Sequence, residues 1–289
     1  MPTVCIFTPT YNRAHTLPRL YQSLVGQTCE DFLWMVVDDG SEDGTEELVN
    51  SWKREGAIQV CYFRVVNGGK PRAVNLGVSR CECPLFYVVD SDDYLVPTAI
   101  EHIVGLSSDL YADKSLAGIV ALNGSDELTP LGTWMPEALS RVKCWDLSER
   151  YRFQGDASLI YKTDVLKQHP FEVAAGEKFV AETSVYYRLD DEYDLHVDNT
   201  VLKICCYLED GLTKNFVANA KANPIGYWKH KKYCAARSRT LVSKMRETTL
   251  YLVGCMLAGE KGAVRRAPNP LIALVCTPLA FALRYMVFR

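Results

Sequence analysis

Residues Phe86 to Asp93 read FYVVDSDD, an apolar run that enters three carboxylates within four positions. Carboxylates packed this closely repel one another, and a divalent cation with oxygen ligands, together with the phosphates it carries, removes that penalty. The chemistry on offer is metal-assisted handling of a phosphorylated ligand. Leu85 to Val89 has the length and the β-branched, aromatic character of a buried strand. Asp90, Ser91, Asp92 and Asp93 then lie where a strand leaves an open α/β sheet, the edge at which ligands collect. The same residues also read as a solvated Asp-rich turn that caps a helix begun at Val96-Pro97. This stretch alone leaves both readings open.

Three more polar clusters follow apolar runs. Thr8-Pro9-Thr10-Tyr11-Asn12-Arg13 ends the first and Asp38-Asp39-Gly40-Ser41 the second; Asn67-Gly68-Gly69-Lys70 follows the third, ahead of a helix that contains Asn75. Asp39 suits hydrogen bonds from a nucleobase or ribose, while Ser41-Glu42-Asp43 also looks like a helix start. Glycines followed by a lysine at a helix N-terminus favour an anion. The P-loop spacing G-x-x-x-x-G-K-[ST] is absent, as are a dinucleotide-binding G-x-G-x-x-G after the first strand and a serine-nucleophile G-x-S-x-G. The five histidines are scattered without metal-ligand spacing. Cys81 with Cys83, and Cys205 with Cys206, lack the paired C-x-x-C of structural zinc.

The elements that must hold these clusters alternate. Strands are predicted over Thr3–Thr8, Leu33–Val37, Gln59–Phe63 and Leu85–Val89, and the stretches between them carry helical spacing: Leu17, Leu20, Tyr21 and Leu24; Leu48, Val49 and Trp52; Ala73, Val74, Gly77 and Val78. This is the β-α-β rhythm of a mostly parallel sheet flanked by helices. A helix near Thr98–Leu106, a strand near Ala117–Leu122 and a loop through Pro136 follow as the acceptor-side half of the same domain. Residues 156–210 return to short strands around the acidic segment Glu177 to Glu182, with a helix through Tyr187 and Leu189. After Pro224 come two basic helical stretches.

The 289 residues, 48% apolar, suffice for a sizeable core. The net charge of −3 hides an asymmetry: residues 221–289 hold thirteen Lys/Arg against two Asp/Glu, a balance of +11 that leaves −14 on the first 220. A basic end suits nucleic acid, but residues 271–283 are uncharged and apolar, so no nucleic acid is expected and an anionic membrane surface is. Pro278 and Arg284 interrupt any window of about 20 apolar residues, which favours an in-plane or re-entrant segment over 271–288 rather than a crossing. With Met1-Pro2 leading directly into the first strand, the eleven cysteines fit a reducing cytosol.

In order and spacing, TPTYNR, VVDDGS, NGGKPRAVNLGV, FYVVDSDD and an acidic segment near residue 182 resemble the family 2 glycosyltransferases of the GT-A fold, over residues 3 to about 215. The resemblance implies a GT-A domain over 1–220, to which the charge and apolar run of 221–289 add the expectation of a helical, membrane-associating extension. It implies metal-dependent, inverting transfer of a sugar from a nucleotide diphosphate, a UDP-sugar foremost, to a hydroxyl of a saccharide acceptor. In cell-envelope polysaccharide synthesis that acceptor is polyprenyl-linked, and the enzyme sits peripherally on the inner face of the cell membrane.

Residue by residue, the resemblance implies that Thr8, Pro9 and Tyr11, with Arg13, line the donor pocket, that Asp39 meets the base, and that Lys70 and Asn75 serve the donor. Asp90 and Ser91 approach the ribose, Asp92 with Asp90 holds Mn²⁺ or Mg²⁺, and Asp93 orients the acceptor or supports the metal site. Glu182 is the general base; Thr183 stands where relatives often carry Asp, and Asp190, Asp191 and Glu192 are the reserve candidates. Trp134 suits stacking on an acceptor sugar, and Glu209 to Thr213 resembles a closing loop. A sugar-phosphate nucleotidyltransferase and a catalytically inactive saccharide-binding subunit of a membrane synthase are the competing readings.

Overall fold

The computed structural model describes residues 1–206 and 216–289. By contact the chain divides into two compact units, Met1–Pro170 with Val185–Leu208, and Phe171–Ser184 with Glu209–Arg289. The boundary drawn at residue 220 follows the change of charge. The contact division instead begins the second unit at Glu209 and also assigns Phe171–Ser184 to it.

In chain order the first unit begins β1 (Val4–Thr10), α1 (Leu17–Val25), β2 (Phe32–Asp38), α2 (Thr45–Glu55), β3 (Val60–Arg64), α3 (Lys70–Arg80) and β4 (Leu85–Val88). It continues β5 (Tyr94–Leu95), α4 (Ala99–Ala112), β6 (Leu116–Gly124), β7 (Arg141–Val142), α5 (Cys144–Glu149), β8 (Ala157–Lys162) and α6 (Thr163–Gln168). Helix α7 (Thr183–Leu189) precedes β9 (Asp194–Ile204). The second unit holds α8 (Phe216–Ala222), α9 (Pro224–Arg237), α10 (Leu241–Leu257), α11 (Ala263–Arg266) and α12 (Pro270–Met286).

One nine-stranded sheet runs β3-β2-β1-β4-β8-β6-β9-β5, with β7 added on β9. The four N-terminal strands pair in parallel, so their polar exits share an edge. Strands β1 and β2 are buried along their whole length, which is why both read as continuous apolar runs rather than alternating ones. Beyond β4 the sheet turns mixed, with β8 antiparallel to both β4 and β6 and with β6 parallel to β9.

Two packing details fix the edge. Tyr21, Trp34 and Trp52 from α1, β2 and α2 form an aromatic cluster in which Tyr21 stacks on Trp52 at 4.3 Å between centroids. A β-carbon on Gly77 would lie 2.2 Å from the Phe7 ring, so only glycine lets α3 settle this close to β1. That approach sets where the N-terminus of α3, with Lys70, meets the strand exits.

In the second unit, Tyr251, Leu252, Val253 and Cys255 of α10 join Ala273, Cys276 and Ala280 of α12 in a common core. The Asn269 side chain accepts from the Leu271 and Ile272 N–H groups and caps α12. The helix continues through Pro278. The proline is exposed, and so is Leu274, whose carbonyl the missing N–H would have met, so solvent compensates the lost bond. Among the described residues no helix is long and apolar enough to cross a membrane.

Candidate active site

The parallel registers place Thr10 opposite Asp38 and Asp38 opposite Arg64, with Phe7 opposite Val88. The loops that leave these strands are stitched by short hydrogen bonds. Asp38 accepts from the Ser41 N–H at 2.7 Å and from the Tyr62 hydroxyl at 2.7 Å. Burial and Asp38 together push the Tyr62 phenol well above its ordinary range, which keeps it a donor. Asn12, in the left-handed region at φ 54°, accepts from the Glu42 N–H, and its own N–H donates to Ser41 Oγ.

Asp39 is buried, and its two oxygens accept from the N–H groups of Gly68 and Gly69 at 2.7 and 2.8 Å. It thereby orders the glycine turn that opens α3, a task visible only once the second and third exits are side by side. Lys70 follows and reaches Asp90 Oδ1 at 2.6 Å. Thr8 is fully buried with its hydroxyl accepting from Trp34 Nε1, whereas Tyr11 is 47% exposed. Thr10, not among the sequence candidates, holds a buried hydroxyl with no partner among the described residues. Asn75 lies half-buried on α3.

At the fourth exit the three carboxylates differ. Burial works against ionisation of Asp90, but Lys70 and Lys203 outweigh it and hold its pKa below the usual carboxylate range. Asp93 is buried, pairs with Lys203 at 3.0 Å and accepts from the Cys206 N–H at 3.1 Å. Asp92 forms no ion pair among the described residues. Burial and the charges of Asp90 and Asp93 raise its pKa, only partly offset by Arg13. Its backbone carbonyl accepts from Arg19, whose guanidinium also lies over Tyr94. Ser91 is buried in the turn between them.

Lys203 was missed in the sequence. The signal is a lone lysine inside the apolar Val201-Leu202-Lys203-Ile204 of β9, and its partner lies 110 positions earlier in the chain.

A hard divalent cation fits this donor set. Asp92 offers a half-exposed carboxylate with excess negative charge around it, and no cluster of three or more His, Cys, Asp or Glu suited to an all-protein metal cage exists among the described residues. One or two carboxylates, completed by substrate phosphates, is the way Mg²⁺-like ions bind at such sites.

In the second unit, the acidic segment is clamped to the start of α9. Glu177 is buried and its carboxylate accepts from the Ile225 and Gly226 N–H groups, while Asn223 Oδ1 accepts from the Lys178 and Phe179 N–H groups. Glu182 follows, half-buried, ahead of Thr183, whose hydroxyl lies 3.2 Å from His230 Nε2. Asp190, a reserve base, caps α5 through the Cys144 and Trp145 N–H groups, and Asp191 and Glu192 are exposed. Trp134 is 53% exposed. The Glu209 to Thr213 loop lies outside the described residues.

A sheet whose parallel N-terminal strands gather two glycines, a lysine and an Asp-Ser-Asp-Asp turn at one edge defines an α/β fold of the GT-A type. The chain belongs to glycosyl transferase family 2, whose family model matches residues 5–168. It is 32% identical to the poly(ribitol-phosphate) beta-glucosyltransferase of Bacillus spizizenii over 197 residues, 64% of this chain and 30% of that one. The chain spans about a third or less of the length of the curated relatives it matches. Its fold matches that of Staphylococcus aureus TarS (residues 1–349) in complex with UDP-GlcNAc, with a TM-score of 0.60 at 16% identity, over 92% of this chain and 76% of that one. It also matches the mannosyltransferase PcManGT from Pyrobaculum calidifontis in complex with GDP-Man and Mn²⁺, with a TM-score of 0.58 at 16% identity, over 98% of this chain and 81% of that one.

Proposed function

We propose that the protein moves a sugar from a nucleotide-diphosphate donor, a UDP-sugar foremost, to a hydroxyl of a saccharide acceptor, with inversion at the anomeric carbon. The observation that carries this reading is the sorting of the fourth exit: Asp90 and Asp93 have lysine partners, and Asp92 has no ion-pair partner among the described residues. Asp92, with Asp90 beside it, would hold Mn²⁺ or Mg²⁺, which when bound neutralises charge on the departing diphosphate. The UDP-GlcNAc of one fold neighbour and the GDP-Man and Mn²⁺ of another support a nucleotide-sugar donor and a divalent metal.

The chain's own groups divide the remaining work. Asp39 orders the Gly68-Gly69 turn, so Lys70 and the first N–H groups of α3 offer positive charge to the diphosphate. Thr8, Pro9, Tyr11 and Arg13 line the donor pocket with Ser91 and Asn75. Glu182 takes the acceptor hydroxyl's proton as that oxygen attacks the anomeric carbon and the bond to the phosphate oxygen breaks. Asp93, paired with Lys203, supports the Asp90 to Asp92 turn from behind.

The acceptor is a cell-envelope saccharide carried on a polyprenyl lipid, and the basic C-terminal unit holds the enzyme peripherally at the inner face of the cell membrane. A panel of UDP-, GDP- and dTDP-sugars with Mn²⁺ or Mg²⁺, read by hydrolysis and thermal shift, tests the reading. Metal-dependent stabilisation and turnover by one donor class supports it. Binding without turnover by wild-type protein and any saccharide acceptor would return the inactive-subunit reading.

A further inference from the structure

Helix α12 is sorted by size in the opposite sense to an ordinary surface helix. Its fully buried residues are small, Ala273, Cys276 and Ala280, with Ile272 and Leu283 partly buried against the same core. Its large apolar residues point outward, and Leu271, Leu274, Val275, Leu279, Tyr285 and Met286 are 59% to 81% exposed. At about 3.6 residues per turn these six, with Phe281, fall on one arc of roughly 160°. Within that arc lie Pro278 and Ala282 and no charged side chain. Surface helices of water-facing domains turn their apolar stripe inward, and a contiguous exposed apolar face of this size marks an interaction surface.

We infer that this outward face is the element that enters the membrane, lying in the plane of an anionic bilayer. The inference deepens the peripheral attachment proposed above and rests on it, by naming the face and its mode of insertion. Three observations select the lipid over other occupants. The 17 residues of α12 rise about 25 Å, short of the roughly 30 Å hydrocarbon core. Residues 261–289 carry five Lys/Arg and no Asp/Glu, and exposed Lys261 and Arg265 stand immediately ahead of the helix. A second copy docked on this face would bring the +11 of residues 221–289 against itself, whereas anionic headgroups complement it.

The small inward residues and the Asn269 cap fix the helix, so the outward face is presented preformed. The apolar face supplies insertion and the flanking cations supply attraction, a two-signal anchor.

The test is flotation of the full chain with vesicles of phosphatidylglycerol and phosphatidylcholine, beside vesicles of phosphatidylcholine alone. The expected result is binding to the anionic vesicles that weakens at least tenfold in 0.5 M salt. The double variant Leu274→Asp/Leu279→Asp should lose binding at least tenfold, with its melting temperature and its donor hydrolysis unchanged, because both side chains are exposed and lie outside the donor site. Lys261→Gln/Arg265→Gln should weaken binding to anionic vesicles without creating any preference for neutral ones. Wild-type protein that stays out of both vesicle types at low salt overturns the inference, as does a Leu274→Asp/Leu279→Asp variant that floats like wild type. So does a wild-type dimer that ignores vesicles and becomes monomeric in that variant, which would make the face a contact between copies. Hydrolysis is read separately, so loss of docking with intact turnover leaves the transferase reading standing.

Discussion

Lys70 Nζ lies 2.6 Å from Asp90 Oδ1, so the first residue of α3 is bonded to the residue that begins the turn after β4. The pair joins the glycine turn and the carboxylate turn into one site, and it leaves Asp92 as the carboxylate of that turn without a cationic partner among the described residues. A charge-assisted hydrogen bond of this kind contributes about 1.5–3 kcal/mol.

Lys70→Met should therefore weaken donor binding by roughly ten- to hundredfold. Removing the ammonium also removes a cause that holds the Asp90 pKa low, so the acid-side loss of donor affinity should move to higher pH in the variant. Titration calorimetry with the donor across pH 4–8 checks both. An unchanged affinity and an unmoved acid limb would separate Lys70 from the donor.

The four parallel strands were legible because each is a buried apolar run that stops at polar residues, and the site candidates were legible because they stand at those stops. The rest was not. Strands β5 and β7 have two residues each, too few for any period. The mixed half of the sheet depends on long-range pairing, such as β4 with β8 some 75 positions later, that no local pattern encodes. The bonds from Gly68 and Gly69 to Asp39 were not legible, since α2 and β3 separate these partners in the chain.

The Asp93–Lys203 pair is buried on both sides. Lys203→Met leaves the Asp93 carboxylate enclosed without its cation and should destabilise the protein by about 3–5 kcal/mol, and adding Asp93→Asn should recover much of it. Urea unfolding of the two single variants and the double variant measures the coupling; strictly additive effects would show that the pair does not act as a unit.

His230 is held neutral: burial and Lys231 lower its pKa to about 4, against an ordinary value near 6.5. The unfolded chain then binds a proton that the folded one refuses between those two values. Stability of the second unit is full above pH 6.5 and declines as pH falls toward 4, by on the order of 3 kcal/mol at the end of that window. Thermal unfolding at intervals from pH 7 to 4 should show this loss, and His230→Gln should flatten it. A variant with the same pH slope as wild type would assign the loss elsewhere.

If Glu182 is the base, Glu182→Gln should lower turnover by roughly 10²–10⁴-fold while donor affinity stays near that of wild type. Single-turnover rates beside donor titrations separate the two. A parallel loss of affinity and rate would mean that the residue shapes the segment clamped by Glu177 and Asn223 instead of moving a proton.

The most direct measurement is donor turnover by Asp92→Asn and by wild-type protein in chelator. Metal dependence through Asp92 predicts that chelator abolishes turnover and that Mn²⁺ or Mg²⁺ restores it. It also predicts that Asp92→Asn is lower by roughly a thousandfold or more, on the scale of lost electrostatic stabilisation of a leaving group, with its melting temperature within a few degrees of wild type. Full wild-type turnover in chelator, or an Asp92→Asn enzyme that turns over at the wild-type rate, would contradict it.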